Sequence, residues 1–431
     1  MTSICIDGFN LALSRGTGIA TYGRNLLAAA QTLGFETQIL FGPEGRIGSN
    51  GLLNEANIAG AVRTSPLRPS QRLEQKIDIF FSQFGRNAYY SRPQGEVIWP
   101  AGEAPADGLW AASSLFRYAH RCHRSYGRFT PVRFDTSMPG PSFMHWTSPL
   151  PLYAKNRPNF YTIHDLIPLR LPHTTLHDRN KFYELHKSIA DRADRIIVVS
   201  ETTKQDVIRI LGVKEDRVIN TYQAASIPTH LTQKTDSEIA TEIDTIFDLQ
   251  WKGYFLHFGA IEPKKNLGRL SEAFLTSGSN TPLVIIGAPG WLDKPETSLI
   301  DQIHDTNRPI GNLIRRHEYT SLPLLISLIR GAKAVLFPSL YEGFGLPVLE
   351  AMSLSTAVMT SNYGALAEIA GDAAHLVDPQ DVASIRSGIR TLDNDPTLVT
   401  HLEAQGLLQA ERFSINRYKE RLAKAYGQAP L

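Results

Sequence analysis

The stretch from Ala334 to Met352, AVLFPSLYEGFGLPVLEAM, indicates the fold more clearly than any other part of the chain. Four apolar residues predict a buried strand, two glycines follow, and Pro347 stands where the first position of a helix is expected. A strand, a glycine loop and a helix in this order leave backbone N–H groups at the helix start, which can bind phosphate groups. Glu342 lies in the loop and Glu350 in the predicted opening turn, where ionised carboxylates can accept hydrogen bonds from sugar hydroxyls. The alternative is an ordinary turn of an α/β sheet with two surface glutamates.

The same alternation of short apolar strands with helices runs along most of the chain. The sequence predicts strands at 4–7, 36–41, 159–163, 195–200, 254–258, 283–287 and 334–337. It predicts helices at about 21–33, 178–192, 201–211, 267–274, 322–330 and 415–426. Alternation of this kind favours parallel sheets that bind ligands at the carboxyl ends of their strands.

The chain divides into two halves at a polar segment, residues 226–248, which contains Pro228 and lacks a clear strand. We therefore predict an N-terminal domain over 1–227, a C-terminal domain over 228–412, and a final helical segment over 413–431. Between about 42 and 145 the periodicity weakens, while Gly, Pro, Ser and Arg accumulate. This composition predicts an inserted irregular region of loops with a few helices.

Two segments of the first half place small or polar residues where a ligand could approach. Gly16 and Gly18 lie between the first strand and the first long helix; this pattern suits close approach of a phosphate but also occurs in simple turns. His164 and Asp165 follow the strand at 159–163. A histidine at that strand end can donate a hydrogen bond to a sugar hydroxyl, or it can be a structural residue. Asp165 can orient the ring or cap the next loop.

The second half offers two cations at an equivalent position. Lys264 and Lys265 lie between the strand at 254–258 and the next helix. Ammonium groups there could stabilise a departing diphosphate. The alternative is a solvated lysine pair.

Together these segments resemble the signature of the retaining nucleotide-sugar glycosyltransferases of family 4, which have the GT-B fold. The resemblance covers most of residues 1–30 and 143–426. It implies an α/β protein with two Rossmann-like domains whose parallel sheets face each other across a cleft, and a last helix that crosses back to the N-terminal domain. The chain departs from the family at Ala260, where an arginine is frequent, and in the glycine loop, which is one glycine short of the commoner Gly-Gly pair.

The resemblance also implies roles for individual residues. The implied catalytic residues are His164, Glu342 and Lys265. The implied donor-binding residues are Gly16, Gly18, Lys264, Phe344, Gly345, Leu346 and Glu350. Glu342 would contact the donor sugar, Glu350 the ribose, and the backbone at 344–346 the diphosphate or sugar. No cofactor and no metal are expected, because the lysines and the helix N-terminus would offset the charge of the leaving diphosphate.

Composition narrows the class of protein. With 431 residues, 42% hydrophobic and 20% charged, the chain is an ordinary globular protein of two or three domains. A net charge of +2 argues against nucleic acid as a partner. With only two cysteines, Cys5 and Cys122, nothing indicates a disulfide framework, and Cys5, in an apolar strand, is expected to be a buried thiol. Residues 1–7 lack the features of a signal peptide, and no segment reads as a transmembrane helix. We expect a cytoplasmic protein, with peripheral contact at the inner face of the cell membrane left open.

One basic segment allows two interpretations. Five arginines and no acidic residue lie between Gly108 and Phe134, and four of them recur at helical spacing: Arg117, Arg121, Arg124 and Arg128. Aromatic residues interleave with them: Trp110, Phe116, Tyr118, Tyr126 and Phe129. The segment could contact anionic lipid and position a lipid-linked acceptor, or it could be a solvated basic face with its aromatics in the core.

The functional hypothesis is a retaining hexosyltransferase, with mannose from GDP-mannose as the first candidate donor. Its partners would be a nucleotide sugar and a glycan or polyprenyl-diphosphate-linked glycan acceptor, in surface polysaccharide biosynthesis. The alternatives are a UDP-sugar-dependent transferase, another GT-B enzyme such as an epimerase, and a non-catalytic nucleotide-sugar-binding partner of a glycan assembly complex. The sequence does not determine the acceptor, the linkage or the oligomeric state.

Overall fold

The protein, seen in a computed structural model, has two α/β lobes, each built around its own sheet. The structure describes residues 2–11, 18–44, 47–60, 76–93, 95–97, 105–136, 138–225, 227–305 and 313–427.

Ten strands form the sheet of the first lobe: β1 (Ser3–Asp7), β2 (Glu36–Phe41), β3 (Arg86–Ser91), β4 (Gly108–Ala111), β5 (Thr130–Phe134), β6 (Phe143–Trp146), β7 (Leu152–Ala154), β8 (Asn159–Ile163), β9 (Arg195–Val198) and β10 (Val218–Asn220). Their order is β10-β9-β8-β6-β1-β2-β4-β3-β5-β7. Neighbouring strands are parallel except β3 and β4, which are antiparallel. The carboxyl ends of β1, β6 and β8 therefore lie side by side at one edge.

Helices cover this sheet: α1 (Gly18–Thr32), α2 (Gly51–Ala59), α3 (76–81), α4 (Leu115–Tyr126), α5 (Ile167–Arg170), α6 (Arg179–Arg192) and α7 (Glu201–Leu211). Local sequence explains the bounds of α7. The Ser200 side chain accepts a hydrogen bond from the Thr203 N–H, and Gly212 ends the helix in the left-handed conformation.

The region from about 42 to 145 is more regular than the sequence predicts. It contains β3, β4 and β5, which extend the first sheet instead of forming loops on it. These strands are only four to six residues long and pair with distant partners. Arginine, proline and glycine within them hide the alternation of apolar residues on which a sequence-based prediction of strands depends.

Six parallel strands form the second sheet, in the order β13-β12-β11-β14-β15-β16. They are β11 (Phe255–Phe258), β12 (Leu283–Ile286), β13 (Ile314–His317), β14 (Ala334–Phe337), β15 (Ala357–Ser361) and β16 (His375–Val377). The helices are α8 (Asp236–Phe247), α9 (Leu267–Leu275), α10 (Lys294–Asp305), α11 (Leu322–Gly331), α12 (Leu346–Ser353), α13 (Gly364–Ala370), α14 (Val382–Asn394), α15 (Pro396–Glu411) and α16 (Ile415–Gly427). The segment at 226–248 thus holds a helix, α8, as well as a connection.

The last helix, α16, packs against the first lobe. Tyr418 and Tyr426 are fully buried in a core cluster that also contains Tyr22 of α1 and Phe143 of β6. The hydroxyl of Tyr426 lies 2.6 Å from Nδ1 of His145, which is itself buried. Hydrophobic burial and a buried polar contact therefore hold α16 against the sheet of the first lobe.

Candidate active site

The loop between β14 and α12 brings the two lobes into contact. A Cβ atom at Gly343 would lie 2.2 Å from the backbone oxygen of His164 in the other lobe. At Gly345 the φ angle is +119°, which favours glycine, and a Cβ there would lie 2.8 Å from Leu366. The side chain of Phe344 is buried in the core, so only its backbone can face a ligand. Both glycines of the motif are thus needed for close approach.

Helix α12 begins at Leu346, one residue before Pro347. Glu350 therefore lies in the second turn of the helix, not in the opening turn that the sequence predicts. Its side chain is partly buried, and burial raises its pKa to about 7, although Lys265 acts to lower it.

The two lysines and Glu342 form one cluster. Nζ of Lys264 lies 3.2 Å from one carboxylate oxygen of Glu342, and Nζ of Lys265 lies 3.0 Å from the other. Burial alone would raise the pKa of Glu342, but the two ammonium groups outweigh it and lower this pKa to about 2. Glu342 is therefore ionised and holds both ammonium groups in place.

Asn266 fixes the lysine turn against the loop after β14. Its φ angle of +64° is left-handed, and its amide donates to the carbonyls of Pro338 at 3.0 Å and Pro379 at 2.7 Å. The N–H of Leu340 donates to the carbonyl of Lys264 at 2.7 Å. The 3₁₀ turn Pro263–Lys265 is consequently held by the side chain of Asn266 and a backbone hydrogen bond as well as by the ion pairs.

His164 approaches from the first lobe. Its Nε2 lies 2.8 Å from the Thr147 carbonyl, so Nε2 carries the donated proton. Burial lowers the pKa of His164, although the bond to Thr147 and the charge of Asp165 act to raise it. The carboxylate of Asp165 accepts a hydrogen bond from the N–H of Ile167 at 3.0 Å. Asp165 therefore caps the turn that leads into α5. A neutral His164 in this tautomer has Nδ1 as a hydrogen-bond acceptor.

Gly18 begins α1 close to the second lobe, because a Cβ there would lie 3.5 Å from Leu346. Gly16 lies outside the described residues. The structure thus gathers His164, Lys264, Lys265 and Glu342 with Gly18 and the start of α12 at the facing carboxyl edges of the two sheets.

Comparisons with known proteins agree with this geometry. Residues 16–220 match the family described as Glycosyltransferase Family 4, and residues 246–408 match Glycosyl transferases group 1. The O-antigen chain mannosyltransferase B of Escherichia coli is 32% identical over 290 residues, which are 64% of this chain and 74% of that protein. The chain belongs to glycosyltransferase family 4.

A second relative and a solved structure add to the assignment. The serotype-specific mannosyltransferase WbdA of Escherichia coli is 30% identical to this family 4 member over 260 residues, which are 58% of this chain but only 31% of WbdA. The sucrose-phosphate synthase of Thermosynechococcus elongatus superposes with a TM-score of 0.67 over 99% of both chains at 16% identity. This likeness confirms the predicted GT-B fold.

Sequence reasoning missed the residues that support His164 in this family 4 protein. Asp7, at the end of β1, is fully buried. Its carboxylate accepts the N–H of Phe9 at 3.2 Å and the N–H of Thr147, whose carbonyl binds His164. The sequence does place Asp7 at the end of a predicted strand, just before the glycine loop, which could have marked it as a candidate site residue. Its contact with the residues around His164, however, depends on the order β8-β6-β1 in the sheet, which the sequence does not show.

We expect Asp7→Asn to lower kcat about tenfold, because one buried N–H loses its acceptor and the support of His164 shifts. It should also lower the free energy of unfolding by about 1–3 kcal/mol, measured by urea denaturation. Asp107→Asn is the control, since Asp107 accepts the N–H and hydroxyl of Thr37, both at 2.8 Å, at the other end of the sheet. A loss of stability in both variants with kcat unchanged in both would remove Asp7 from the site.

Glu368 joins the two lobes. From α13 its carboxylate accepts the N–H groups of Glu201 at 2.7 Å and Thr202 at 3.0 Å, and thus caps α7 of the other lobe. The Gly343 carbonyl accepts the hydroxyl of Ser200 at 2.7 Å. Sequence reasoning assigned Glu368 no role, because its partners are more than 160 residues away in the chain.

Three of the arginines predicted for a basic face, Arg117, Arg121 and Arg124, lie on α4, and Arg128 follows just after it, but most of the aromatics between them are not at the surface. Trp110, Phe116, Tyr118 and Phe129 are buried in the core, and Tyr126 is exposed. Arg117 pairs with Glu44 at 2.9 Å, while Arg121, Arg124 and Arg128 are exposed. Four of the five aromatics therefore lie in the core, as the second interpretation of this segment has them, and of the five only Tyr126 is exposed beside the arginines.

The described residues contain no group of three or more His, Cys, Asp or Glu side chains placed to hold a metal ion. No helix in the same ranges combines the length and the apolar character that crossing a membrane requires. Cys5 is a buried free thiol, as predicted, and Cys122 is one as well.

Proposed function

We propose that this family 4 glycosyltransferase is a retaining hexosyltransferase of surface polysaccharide biosynthesis. The first candidate donor is GDP-mannose, and the acceptor is a glycan or a polyprenyl-diphosphate-linked glycan. The observation that carries the proposal is the convergence of His164 with the Lys264–Lys265–Glu342 cluster across one cleft. The choice of mannose and of polysaccharide rests on relatives named as O-antigen and serotype-specific mannosyltransferases.

In the proposed reaction the bond between C1 of the sugar and the phosphate oxygen breaks as a bond from C1 to the acceptor oxygen forms on the same face. The acceptor hydroxyl gives its proton to the leaving phosphate oxygen, so the products are a nucleoside diphosphate and a glycoside. Lys265 and Lys264, with the start of α12, would offset the negative charge on the diphosphate without a metal. Glu342 would bind donor-sugar hydroxyls, as would His164 through Nδ1.

The test is calorimetric titration with GDP, UDP and their sugar conjugates, on the wild type and on Glu350→Ala. Tight binding of one base, weakened in the variant, would support the donor site and distinguish a GDP-sugar from a UDP-sugar enzyme. Product analysis with the bound donor would then separate transfer from epimerisation. Failure of every nucleotide to bind would contradict the donor site and favour a non-catalytic partner.

The raised pKa of Glu350 predicts a pH dependence of donor binding. Its carboxylate exists mainly above pH 7, and only this form can accept hydrogen bonds from both ribose hydroxyls with full charge. We expect the Kd for the nucleotide to fall about tenfold from pH 6 to pH 8 in the wild type. Glu350→Gln should show a weaker dependence, and any remaining slope measures the titration of the phosphate. Equal slopes in both proteins would contradict this role of Glu350.

A further inference from the structure

An exposed aromatic cluster lies on the first lobe, where the chain enters β3 and where α4 ends. It consists of Phe80, Phe81, Phe84 and Tyr126, whose side chains are between 42% and 57% exposed. The ring of Phe80 lies 5.6 Å from those of Phe81 and Tyr126 and 6.0 Å from that of Phe84. Within the described ranges, no other exposed aromatic rings contact one another. A soluble protein rarely exposes grouped aromatic rings without a partner for them.

Hydrogen bonds hold this cluster in place. The residues from α3 continue into a 3₁₀ turn, Ser82–Phe84, in which the Ser82 hydroxyl donates to the Asp78 carbonyl at 2.8 Å. The guanidinium of Arg133 donates to the Phe84 carbonyl. The rings are therefore presented on fixed backbone.

Cations surround the aromatic cluster. Arg124 and Arg128 are exposed on the last turn of α4 and just beyond it, beside Tyr126. A cavity of about 540 Å³ next to Phe84 is lined by Arg128 and Arg192, together with Phe129, Tyr153, Gln83 and Asn159. The guanidinium of Arg192 lies 4.6 Å from the centre of the Phe129 ring. The acidic residue on α3 is Asp78, which is exposed.

We propose that the aromatic cluster and these arginines form a docking surface for an anionic lipid bilayer. The rings would enter the boundary between headgroups and acyl chains, and the arginines would bind lipid phosphates. This surface differs from the one the sequence indicates, because its phenylalanines come from α3 and the following turn and not from the arginine segment itself. The docking proposal rests on the proposed function, because only that function supplies an acceptor linked to a membrane.

The position of the surface suits a long acceptor. Helix α4 begins near the cleft, where Phe116 contacts Phe9 after β1 with ring centres 5.2 Å apart. It ends at Tyr126, roughly 17 Å further along the helix axis. Docking through the end at Tyr126 would leave the start of α4, beside Phe9, about one helix length from the bilayer contact and within reach of the growing end of a lipid-linked glycan.

The test is flotation of the full chain with vesicles of phosphatidylethanolamine and phosphatidylglycerol, compared with phosphatidylcholine alone. We expect binding to the anionic vesicles only, weakened by salt. Phe81→Ser/Phe84→Ser should reduce the bound fraction at least fivefold, and Arg124→Glu/Arg128→Glu should do the same. The matched controls are Leu407→Ser/Leu408→Ser, an exposed apolar pair on α15, and Arg209→Glu/Lys214→Glu, an exposed basic pair; both should bind as the wild type.

Each outcome decides the proposal. Absence of wild-type flotation, or equal loss in the control variants, would overturn it. So would a wild-type dimer that becomes a monomer in Phe81→Ser/Phe84→Ser, because the cluster would then be a contact between copies of the chain. Transfer to a soluble oligosaccharide, measured in the same variant, should stay at the wild-type rate. Loss of vesicle binding with soluble transfer retained separates this proposal from the proposed function.

Discussion

Lys265→Met is expected to lower kcat by about two to three orders of magnitude, with a smaller change in KM. Nζ of Lys265 lies 3.0 Å from Glu342 and 4.6 Å from the centre of the Phe337 ring, at the carboxyl end of β14. Negative charge on the leaving diphosphate grows in the transition state, so loss of a fixed cation costs more there than in the bound donor. Steady-state kinetics with a nucleotide sugar and a soluble acceptor would measure the effect.

The control for this variant lies at the other end of the same strand. Lys333 immediately precedes β14 and pairs with Asp393 at 2.7 Å, with a similarly shielded side chain. Lys333→Met should therefore lose a comparable ion pair and some stability while keeping kcat within about twofold. The role of Lys265 would be refuted by equal losses of kcat in both variants, or by an unchanged kcat in Lys265→Met.

Gly343→Ala is expected to lower kcat/KM about a hundredfold, because an added methyl group would lie 2.2 Å from the carbonyl oxygen of His164. A backbone oxygen cannot rotate away as a long side chain can, so the two lobes must move apart. The Gly343 carbonyl would shift as well, and with it the bonds from Ser200 at 2.7 Å and Thr203 at 3.2 Å. Solution scattering should show a larger radius of gyration.

Nucleotide binding distinguishes a shift of the lobes from unfolding. The lysines and Glu350 belong to the second lobe alone, so Gly343→Ala should still bind nucleotide within about tenfold of the wild type. Gly278→Ala is the matched control: its φ angle is +76°, but an added methyl would meet no described atom within 4 Å. It should cost about 1 kcal/mol of stability and leave kcat/KM unchanged. An unaltered kcat/KM and radius of gyration in Gly343→Ala would show that this contact does not hold the lobes.

The placement of candidate site residues was predictable where chemistry and local structure coincide in the chain. Lys264 and Lys265 follow a strand directly, and Glu342 follows another, so the parallel arrangement of those strands was enough to expect them at one edge. The structure places them within hydrogen-bonding distance of one another. Their roles in binding and transfer remain predictions that the variants above test.

Prediction was weaker where a residue acts on a partner far away in the chain. Asp7 binds Thr147, and Glu368 caps a helix that starts 167 residues earlier. Phe80 of α3 contacts Tyr126 of α4, and nothing in either segment alone indicates this contact. Such contacts depend on which strands are neighbours, and many orders of strands satisfy the same local pattern.

The sequence by itself determined the two α/β halves, the strand that ends at Phe337 and the expectation that Lys264, Lys265 and Glu342 lie at one sheet edge. It could do so because apolar strands, glycine loops and helix starts are written in neighbouring residues. Only the tertiary structure decided that β3, β4 and β5 extend the first sheet, that aromatics of the arginine segment are packed inside, and that Gly343 touches His164. These features result from packing between distant segments. Apolar surface must be buried and buried N–H groups must be paired in the complete fold, so no single segment determines them.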